Sequence, residues 1–482
     1  MLIGNYFKNI NLSFKNHKFS GLSFNSNNCK KNYIFFAIKG NNLNGNKFIN
    51  HAINKGAKTV VSNIKYEGFK KDVLFIRTNN VRRLLSKTVS KIYRKKPKNL
   101  VAVTGTNGKS SIADFYFQIL KLNKKKVASI GTLGINSNKN KIRLQNTTLD
   151  SLQLAKYLSK LKDQKIDNVI LEASSHGLKQ NRLDGLNFKI GIFTNLSHDH
   201  LDYHKSYKDY LSSKLYLFKK LLKKKSNLIT DNSIPEFLKI KQISKSKNLK
   251  LNTIGDIDST IRVIDHKYFD ENRQIVEIIH KKKKYIIKIN LIGKIQIKNI
   301  LMAMIAAEKS NIKFSNIVKA VEKLNPVEGR LENIGKIKNN SKVILDYAHT
   351  PDALKTCLQN LKDQYKNKNI FIVFGCGGER DMDKRPKMGQ IANQFCDKIY
   401  LTDDNPRNEN PKIIRSFIKK KINKRKLSEI PSREKAIREA IKNLQSDDIL
   451  LVAGKGHEYT QDFGKSKKFF SDRICILKNI LK

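Results

Sequence analysis

The stretch Val101-Ala-Val-Thr-Gly-Thr-Asn-Gly-Lys-Ser-Ser111 leads from an apolar run through two glycines into a lysine and two serines. The apolar run predicts a buried strand, and the amphipathic segment after it predicts a helix. Glycines leave backbone N–H groups open, Lys109 supplies a positive charge, Ser110 can hold Mg²⁺, and the helix N-terminus favours anions. The stretch predicts a loop that binds nucleotide phosphates. The usual first glycine of such a loop would fall at Val103, so an ordinary tight turn is the alternative.

Length and composition indicate several domains and a strongly basic surface. The chain has 482 residues, too many for one hydrophobic core, and 39% of them are hydrophobic. Its 96 Lys and Arg residues exceed its 41 Asp and Glu residues, for a formal charge of +55. Such a charge is typical of nucleic-acid binding, but the lysines are spread over the whole length without interleaved stacking aromatics. We therefore expect small-molecule substrates and no nucleic acid, and keep a nucleic-acid-stimulated ATPase as an alternative.

The cysteines and the apolar runs indicate in which cellular compartment the protein acts. The cysteines are scattered, odd in number and without metal-binding spacing: Cys29, Cys357, Cys376, Cys396 and Cys475. This usage is typical of reduced thiols in a cytoplasmic protein. No apolar run is long enough to cross a bilayer, and the first residues lack the pattern of a secretion signal. We expect a cytoplasmic monomer that does not bind membranes.

The rhythm of apolar runs divides the chain into three α/β regions, with expected bounds 1–97, 98–328 and 329–482. In the second region strands alternate with helices, which predicts a parallel sheet covered on both faces. The third region repeats that pattern, which predicts a second nucleotide-fold-like sheet. Strands are expected at 33–38 and 59–61 in the first region, at 100–104, 126–130, 168–171 and 190–194 in the second, and at 343–347, 370–374, 399–402 and 449–453 in the third.

The remaining segments connect these sheets. A helix is expected at 48–55, and the basic segment 93–98 is expected to be a linker. The stretch 225–290 is rich in lysine with weak alternation, which predicts an antiparallel accessory layer. A helix at 299–310 closes the second region, and a hinge is expected near 325–330.

Polar residues follow the predicted strands of the second region where each strand ends. Glu172 closes an apolar strand, where an unpaired carboxylate is costly to bury, so it indicates a metal ligand, a helix cap or a salt bridge. His198 to His204 holds three histidines and two aspartates. This segment favours a Mg²⁺ site over zinc or a solvated loop, because no cysteine accompanies it and a phosphate loop lies nearby. The carboxyl ends of parallel strands share one edge, so we expect these groups to meet.

Five motifs stand in one order along the chain: Thr104-Gly-Thr-Asn-Gly-Lys-Ser110, Glu172-Ala-Ser-Ser-His-Gly177, Thr194-Asn-Leu-Ser-His-Asp-His-Leu-Asp-Tyr-His204, Asp346-Tyr-Ala-His-Thr-Pro-Asp352 and Asp404-Asn-Pro-Arg407. In order and spacing they resemble the motifs of the Mur ligase family, over essentially the whole chain. The resemblance implies a small N-terminal α/β domain that binds UDP-MurNAc, a central P-loop ATPase-like domain, and a C-terminal Rossmann-like domain that binds an amino acid. It implies ATP-dependent addition of meso-diaminopimelate to UDP-MurNAc-L-Ala-D-Glu through an acyl phosphate, in peptidoglycan precursor synthesis.

The resemblance also implies which residues serve ATP and Mg²⁺. The catalytic set would be Lys109, Lys214 and His200. ATP would contact Gly105, Thr106, Asn107, Gly108, Lys109, Ser110, Ser111, Asn299, Arg330, Asp346 and His349. Mg²⁺ would be held by Ser110, Glu172, His200 and Lys214, the last as a carbamate that turns a cation into an anion.

Two further sets would contact the other substrates. The UDP-MurNAc-dipeptide set is Phe24, Ser26, Asn41, Asn42, Asn146, Thr147, Thr148, Ser174, Gln180 and Arg182. The diaminopimelate set is Arg380, Asp404, Asn405, Pro406, Arg407, Gly454 and Glu458. The resemblance implies that Arg407 pairs with the distal carboxylate of diaminopimelate, which the lysine used by other members lacks.

The sequence departs from the family pattern at three places. Asn25 and Asn27 replace the charged residues that flank Ser26 in the family, Leu149 departs from a Thr-Thr-Pro-Asp motif, and Ile295-Gln296 replaces Phe-Asn. Each departure spares the phosphate and metal groups. Folylpolyglutamate synthase is the alternative with the same phosphate loop and acyl-phosphate chemistry. It lacks the first domain, which the segment 33–57 resembles in the Mur ligases.

Overall fold

The computed structural model describes residues 1–7, 10–40, 43–144, 146–197, 199, 203–271, 273–337 and 339–480. Three β-sheets that follow one another along the chain, and one short hairpin, organise these residues. Within the described ranges, no helix is both long and apolar enough to cross a bilayer. The α/β class predicted from the alternating apolar runs is confirmed.

The first sheet has the strand order β1-β2-β3-β5-β4, and every neighbouring pair except β4 and β5 is parallel. Its strands are β1 Gly21–Ser23, β2 Tyr33–Phe36, β3 Ala57–Ser62, β4 Gly68–Lys70 and β5 Val73–Arg77. Its helices are α1 Ile49–Asn54 and α2 Val81–Ile92. The Asn80 side chain accepts a hydrogen bond from Arg83 N and so fixes where α2 begins.

The central sheet has eleven strands in the order β16-β15-β14-β13-β12-β11-β6-β10-β7-β8-β9. The seven strands from β14 to β7 are parallel, and both outer ends are antiparallel. The strands are β6 Asn99–Thr104, β7 Val127–Gly131, β8 Gly134–Ser137, β9 Lys141–Ile142, β10 Asn168–Glu172, β11 Phe188–Phe193, β12 Leu222–Asp231, β13 Lys250–Gly255, β14 Ile261–Tyr268, β15 Gln274–His280 and β16 Lys283–Ile289.

Helices cover both faces of this sheet, as the sequence predicts. Val101 and Val103 of β6 face a core that α3 and α8 complete, while Leu100 and Ala102 face a second core that includes α4. This alternation is the period-2 pattern of a strand buried on both faces. The helices are α3 Lys109–Leu122, α4 Ser151–Asp163, α5 Ser175–Lys179, α6 Tyr207–Tyr216, α7 Phe237–Ser246, α8 Ile295–Glu308 and α9 Phe314–Val321.

The stretch 225–290 differs from the expected antiparallel layer. Only β14, β15 and β16 form an antiparallel meander. The strands β12 and β13 continue the parallel sheet and are joined by α7, so the prediction is wrong there. The lysines at 223–225 are exposed, and burial begins only at Ser226, which explains why the segment has the pattern of a surface layer.

The third sheet has the order β17-β18-β22-β19-β20-β21 and is parallel apart from β17. Its strands are β17 Glu332–Lys336, β18 Lys342–Asp346, β19 Ile370–Phe374, β20 Lys398–Leu401, β21 Leu427–Glu429 and β22 Ile449–Ala453, and β23 Thr460–Asp462 pairs with β24 Lys467–Phe469 as a hairpin. The helices are α10 Pro351–Gln364, α11 Lys384–Phe395, α12 Pro411–Lys419, α13 Arg433–Lys442 and α14 Asp472–Ile480.

Candidate active site

The loop from Gly105 to Ser111, here called the phosphate loop, joins β6 to α3. Gly105 and Gly108 have φ angles of 150° and 86°, in the region that favours glycine. A Cβ atom on Gly108 would lie 2.5 Å from Asn299 Oδ1 on α8. Asn107 N donates to Asn195 Oδ1 at 2.9 Å, which ties the loop to the segment after β11. The loop is therefore held open at a helix N-terminus, the geometry of an anion site.

Two lysine side chains, partly buried Lys109 of the loop and buried Lys214, contact the backbone of the phosphate loop. Lys109 Nζ donates to the carbonyl oxygens of Gly105 and Thr106, at 3.0 and 2.7 Å. Lys214, on α6 and only 1% exposed, donates from Nζ to Gly105 O at 2.6 Å. Burial lowers the pKa of Lys109, and burial together with the charge of Lys109 lowers the pKa of Lys214 well below its usual range. Neither lysine forms an ion pair with a carboxylate in the described residues, so both could neutralise an anion.

Glu172 ends β10 beside this loop and is 3% exposed. Ser110 Oγ donates to its Oε2 at 3.1 Å, while Thr132 donates from N to Oε1 at 2.8 Å and from Oγ1 to Oε2 at 3.1 Å. A hydroxyl and a carboxylate thus lie side by side at the loop, and oxygen donors of this kind fit Mg²⁺. Of the other two expected metal ligands, Lys214 contacts the same loop and His200 lies outside the described residues.

The third sheet contributes three more side chains to the same place. Arg330 donates a hydrogen bond from Nη2 to Ser110 Oγ at 3.4 Å. Its guanidinium lies 4.5 Å from the centre of the Tyr347 ring. Asp346 accepts hydrogen bonds from two backbone N–H groups at 2.7 Å, and burial raises its pKa. His349 Nδ1 lies 2.8 Å from Tyr347 O, and burial lowers the pKa of the imidazole.

These groups line one cavity of about 500 Å³, here called the nucleotide cavity. Of the residues expected to serve ATP and Mg²⁺, it is lined by Thr106, Asn107, Gly108, Lys109, Ser110, Ser111, Glu172, Lys214, Asn299, Arg330, Asp346 and His349. Gly105, the first residue of the loop, does not line the cavity. The departure at residue 296 has a structural role here, because Gln296 Oε1 accepts from Asn299 Nδ2 at 3.0 Å.

A second cavity of about 680 Å³, here called the amino-acid cavity, opens on the side of the third sheet. Four residues of the expected diaminopimelate set line it: Arg380, Asn405, Arg407 and Glu458. Asp404 and Gly454 line a smaller adjoining cavity of about 170 Å³ together with those four. Pro406 lines neither cavity, and its carbonyl oxygen accepts a hydrogen bond from Glu409 N.

Arg407 is held in an unusual backbone conformation. Its φ angle is 51°, in the left-handed region that non-glycine residues seldom adopt. Its backbone N donates to Asp462 O at 3.0 Å, and its Nη1 donates to Gly378 O at 2.5 Å. No carboxylate of the described residues pairs with its guanidinium. Arg407 therefore lines the cavity without an ion pair to a described carboxylate.

Glu458 is oriented by a lysine that the sequence analysis did not single out. Lys455 is fully buried and donates from Nζ to Glu458 Oε2 and to Asn405 Oδ1, each at 3.0 Å. Asn405 Nδ2 also donates to Glu458 Oε2 at 3.0 Å. The signal was the segment Gly454-Lys-Gly-His-Glu458, in which the lysine lies between two expected contacts.

The two cavities meet. Thr132, Thr147 and Tyr347 line both of them. Thr132 also donates two hydrogen bonds to Glu172. It was not predicted as a site residue, because a single threonine directly after β7 has no distinctive sequence pattern. Asn146 lines the amino-acid cavity and Ser174 the nucleotide cavity, so the expected dipeptide contacts reach this junction.

The remaining expected UDP-MurNAc contacts lie farther out. Arg182 Nη1 donates to Thr148 O at 2.5 Å and its Nη2 to Gln180 Oε1 at 2.8 Å. Phe24 is exposed, and Ser26 is buried in a short turn that the Asn25 side chain caps. Neither lines the two cavities, and Asn41 and Asn42 lie outside the described residues.

The chain matches two family models that follow one another along the sequence. The Mur ligase middle domain model matches residues 103–307, and the model of the Mur ligase glutamate ligase domain matches residues 329–456. The UDP-N-acetylmuramoyl-L-alanyl-D-glutamate–2,6-diaminopimelate ligase of Rickettsia typhi is 40% identical over 479 residues, which cover 98% of this chain and 95% of that protein. A solved structure of a ligase of the same name matches with a TM-score of 0.71 and 30% identity, covering 100% of this chain and 99% of its own.

Solved structures of folylpolyglutamate synthase, the alternative considered from the sequence, also match the chain. Mycobacterium tuberculosis folylpolyglutamate synthase complexed with ADP and AMPPCP matches with a TM-score of 0.64 and 15% identity. The match covers 92% of the synthase chain but only 77% of this chain. At that identity the similarity concerns the fold alone.

Proposed function

This chain belongs to the Mur ligase family, and we propose that it joins diaminopimelate, as the meso isomer, to UDP-MurNAc-L-Ala-D-Glu with ATP as co-substrate. The product would be the nucleotide-linked tripeptide of peptidoglycan precursor synthesis. Relatives that carry this activity in their names align with the chain from end to end. The observation that carries the proposal is the junction at Thr132, Thr147 and Tyr347, where a phosphate-binding cavity meets an arginine-lined cavity.

The proposed reaction has two steps. The γ-phosphoryl group of ATP passes to the side-chain carboxylate of the D-glutamyl residue, which yields an acyl phosphate and ADP. The amine of diaminopimelate then attacks the carbonyl carbon, phosphate leaves with the C–O bonding pair, and the amine loses a proton as the amide forms. No protein nucleophile is needed, so catalysis rests on position and charge neutralisation.

The residues of the nucleotide cavity have the charges that the first step requires. The phosphate loop and Lys109 would hold the β- and γ-phosphates, and Arg330 would neutralise charge on the transferred group. Asn299, Asp346 and His349 would complete the ATP contacts. Mg²⁺, when bound by Ser110, Glu172, His200 and the carbamate of Lys214, would neutralise phosphate charge.

The amino-acid cavity would select the amine substrate. The guanidinium of Arg407 forms no ion pair with a carboxylate of the described residues, so it can pair with the distal carboxylate of diaminopimelate. Arg380 can assist it, while Glu458, fixed by Lys455 and Asn405, suits an ammonium group. Lysine would leave the charge of Arg407 unpaired, which is a strong basis for discrimination.

We further propose three domains with bounds 1–97, 98–328 and 329–482, in which the first binds UDP-MurNAc. The first sheet, which ends at Arg77, supports this division over the folylpolyglutamate synthase alternative, because that match leaves about a quarter of the chain uncovered. The dependence on ATP and the five free thiols support a cytoplasmic location. We propose that the enzyme acts as a monomer, without nucleic acid or membrane partners.

An incorporation assay tests this function. The purified protein is incubated with ATP, Mg²⁺, UDP-MurNAc-L-Ala-D-Glu and equal amounts of meso-diaminopimelate and L-lysine, and the products are identified by mass spectrometry. We expect the diaminopimelate tripeptide almost alone. Incorporation of lysine instead would overturn the specificity, and the absence of any ATP-dependent product would overturn the function.

A further inference from the structure

Two arginines from different parts of the chain converge on one oxygen atom. Arg182 Nε and Nη2 lie 3.0 and 2.8 Å from Gln180 Oε1, and Arg82 Nη1, from α2, lies 3.5 Å from the same atom. Gln180 Nε2 donates to the Tyr203 hydroxyl at 3.2 Å, which fixes the amide with its oxygen toward the arginines. Two guanidinium charges thus approach a single neutral acceptor.

Within the part of the chain that the structure describes, no carboxylate lies within ion-pair distance of either guanidinium, although the charge of Asp150 opposes the effect of burial on the pKa of Arg182. Among the described residues, neither Arg82 nor Arg182 forms an ion pair. The nearby carboxylates are used elsewhere: Asp184 pairs with Arg83 Nε at 3.0 Å, and Asp150 accepts from two backbone N–H groups at the start of α4. Burial lowers the pKa of Arg82, and the charge of Arg182 lowers it further. Two half-buried like charges that share one neutral acceptor are costly, so the arrangement fits a bound anionic ligand.

The position of the pair matches the path of the nucleotide-sugar substrate. Arg82 Nη2 reaches Lys39 O at 3.4 Å, in the region of the first sheet. Arg182 is anchored to Thr148 O, and Thr148 Oγ1 donates to Ser174 Oγ at 3.0 Å. Ser174 lines the nucleotide cavity. The two guanidinium groups therefore lie between the first sheet and the junction of the two cavities.

We propose that Arg82 is a substrate-binding residue that forms, with Arg182, a two-guanidinium site for an anionic group of the UDP-linked substrate. The inference rests on the function proposed above and adds a contact from the first domain. Planar guanidinium groups suit both a diphosphate and a carboxylate, through paired N–H donors. The substrate carries both kinds of group, and the choice of probe distinguishes them.

Calorimetric titration of the full chain without ATP measures this contact apart from catalysis. The probes are UDP, UDP-MurNAc-L-Ala-D-Glu, and the same molecule with the free α-carboxylate of its glutamyl residue converted to a carboxamide. The variants are Arg82→Gln, which removes the charge, and Arg82→Lys, which keeps the charge but not the fork. Arg83→Gln is the matched control, because it removes the same charge from the next residue of α2, where the partner is Asp184.

The expected result is a loss of about tenfold to a hundredfold in substrate affinity for Arg82→Gln, the scale of one charged hydrogen bond. The substrate affinity of Arg82→Lys should lie between those of Arg82→Gln and the unaltered chain. Arg83→Gln should bind the substrate with the affinity of the unaltered chain. If UDP loses affinity equally, the anion is the diphosphate. If UDP is unaffected and the carboxamide probe binds equally to both proteins, the anion is the carboxylate.

Two outcomes would overturn the inference, and they can be told apart. If the unaltered chain binds the substrate and Arg82→Gln binds it equally well, Arg82 has no role in binding and the proposed function stands. If the unaltered chain binds neither UDP nor the UDP-linked dipeptide, the proposed function fails as well. Circular dichroism of each variant confirms that the compared proteins are folded.

Discussion

Lys109 and Lys214 donate hydrogen bonds to the same atom, the carbonyl oxygen of Gly105, at 3.0 and 2.6 Å. Lys214 is buried and Lys109 is partly buried, and no carboxylate of the described residues forms an ion pair with either. Two such charges at one oxygen repel each other in a medium of low dielectric constant. This repulsion between the two ammonium groups would decrease if phosphates were bound or if one lysine were converted to an anion. Conversion of Lys214 to a carbamate does the latter, since its amine adds CO₂ and loses a proton.

The first prediction concerns Lys214. We expect Lys214→Ala to lose about a hundredfold or more in kcat, the scale of one lost electrostatic contact. Added acetate or formate should restore part of the activity, because a short carboxylate can take the place of the carbamate. Steady-state rates with and without the acid measure this. Lys208→Ala on the exposed face of α6 is the control, and a failure of every short acid to restore Lys214→Ala would contradict the carbamate.

The second prediction concerns Arg407. Replacement by alanine removes the main group proposed to pair with the distal carboxylate, so kcat/KM for diaminopimelate should fall by about tenfold to a hundredfold. The affinity for ATP should be unchanged, because Arg407 does not line the nucleotide cavity. Kinetics with varied diaminopimelate and a separate nucleotide titration measure the two effects. Arg425→Ala, at an exposed position of the same domain, is the control; equal losses for both substrates would remove the assigned role.

The third prediction concerns the metal. Glu172→Gln keeps an acceptor for Thr132 N but loses the negative charge, so we expect the Mg²⁺ concentration for half-maximal activity to rise at least about tenfold. Removal of Mg²⁺ by a chelator should abolish product formation in the unaltered chain. Glu67→Gln, exposed in the first domain, is the control. An unchanged Mg²⁺ requirement in Glu172→Gln would exclude this carboxylate as a ligand.

The fourth prediction concerns stability against pH. His457 has a buried Nδ1 without a hydrogen-bond partner, and burial, aided by the charge of Arg330, lowers its pKa from 6.5 to about 3. Between these two values the unfolded chain binds a proton that the native chain does not, so stability falls as the pH falls through this window. In His457→Gln this contribution is absent, and the free energy of unfolding should decline less steeply.

Urea unfolding at a series of pH values measures this difference. His51→Gln, at an exposed position, should follow the pH dependence of the unaltered chain. Parallel curves for His457→Gln and the unaltered chain would show that the His457 imidazole titrates alike in the folded and unfolded states.

The parts of the fold predicted from sequence are those with local signals. The strand and glycines around residue 105 have a pattern that only a few structures share, and β6, the phosphate loop and α3 form there as expected. The strand β12 was missed because the exposed lysines at 223–225 lie in an irregularity of its pairing with β11 and interrupt the buried pattern. Its burial depends on contacts with β11 and β13, which no local pattern encodes.

The site divides in the same way. Glycines, charges and polar strand ends identify the phosphate loop and Glu172, since these residue types in that order have few other uses. Lys214 is one of 96 Lys and Arg residues, and its burial depends on how α6 packs, so only the family resemblance selected it. Arg82 and Arg83 are adjacent and identical in type. Arg82 shares a hydrogen-bond acceptor with another arginine, whereas Arg83 forms an ion pair with Asp184. Tertiary structure alone creates this difference.

The most direct test of the central claim follows an oxygen atom. UDP-MurNAc-L-Ala-D-Glu labelled with ¹⁸O in the side-chain carboxylate of its glutamyl residue is converted with ATP and diaminopimelate, and the phosphate released is analysed by mass spectrometry. If the two cavities together support an acyl phosphate, each phosphate formed with product carries one ¹⁸O atom from the glutamyl carboxylate. Tripeptide formation accompanied only by unlabelled phosphate would contradict the account.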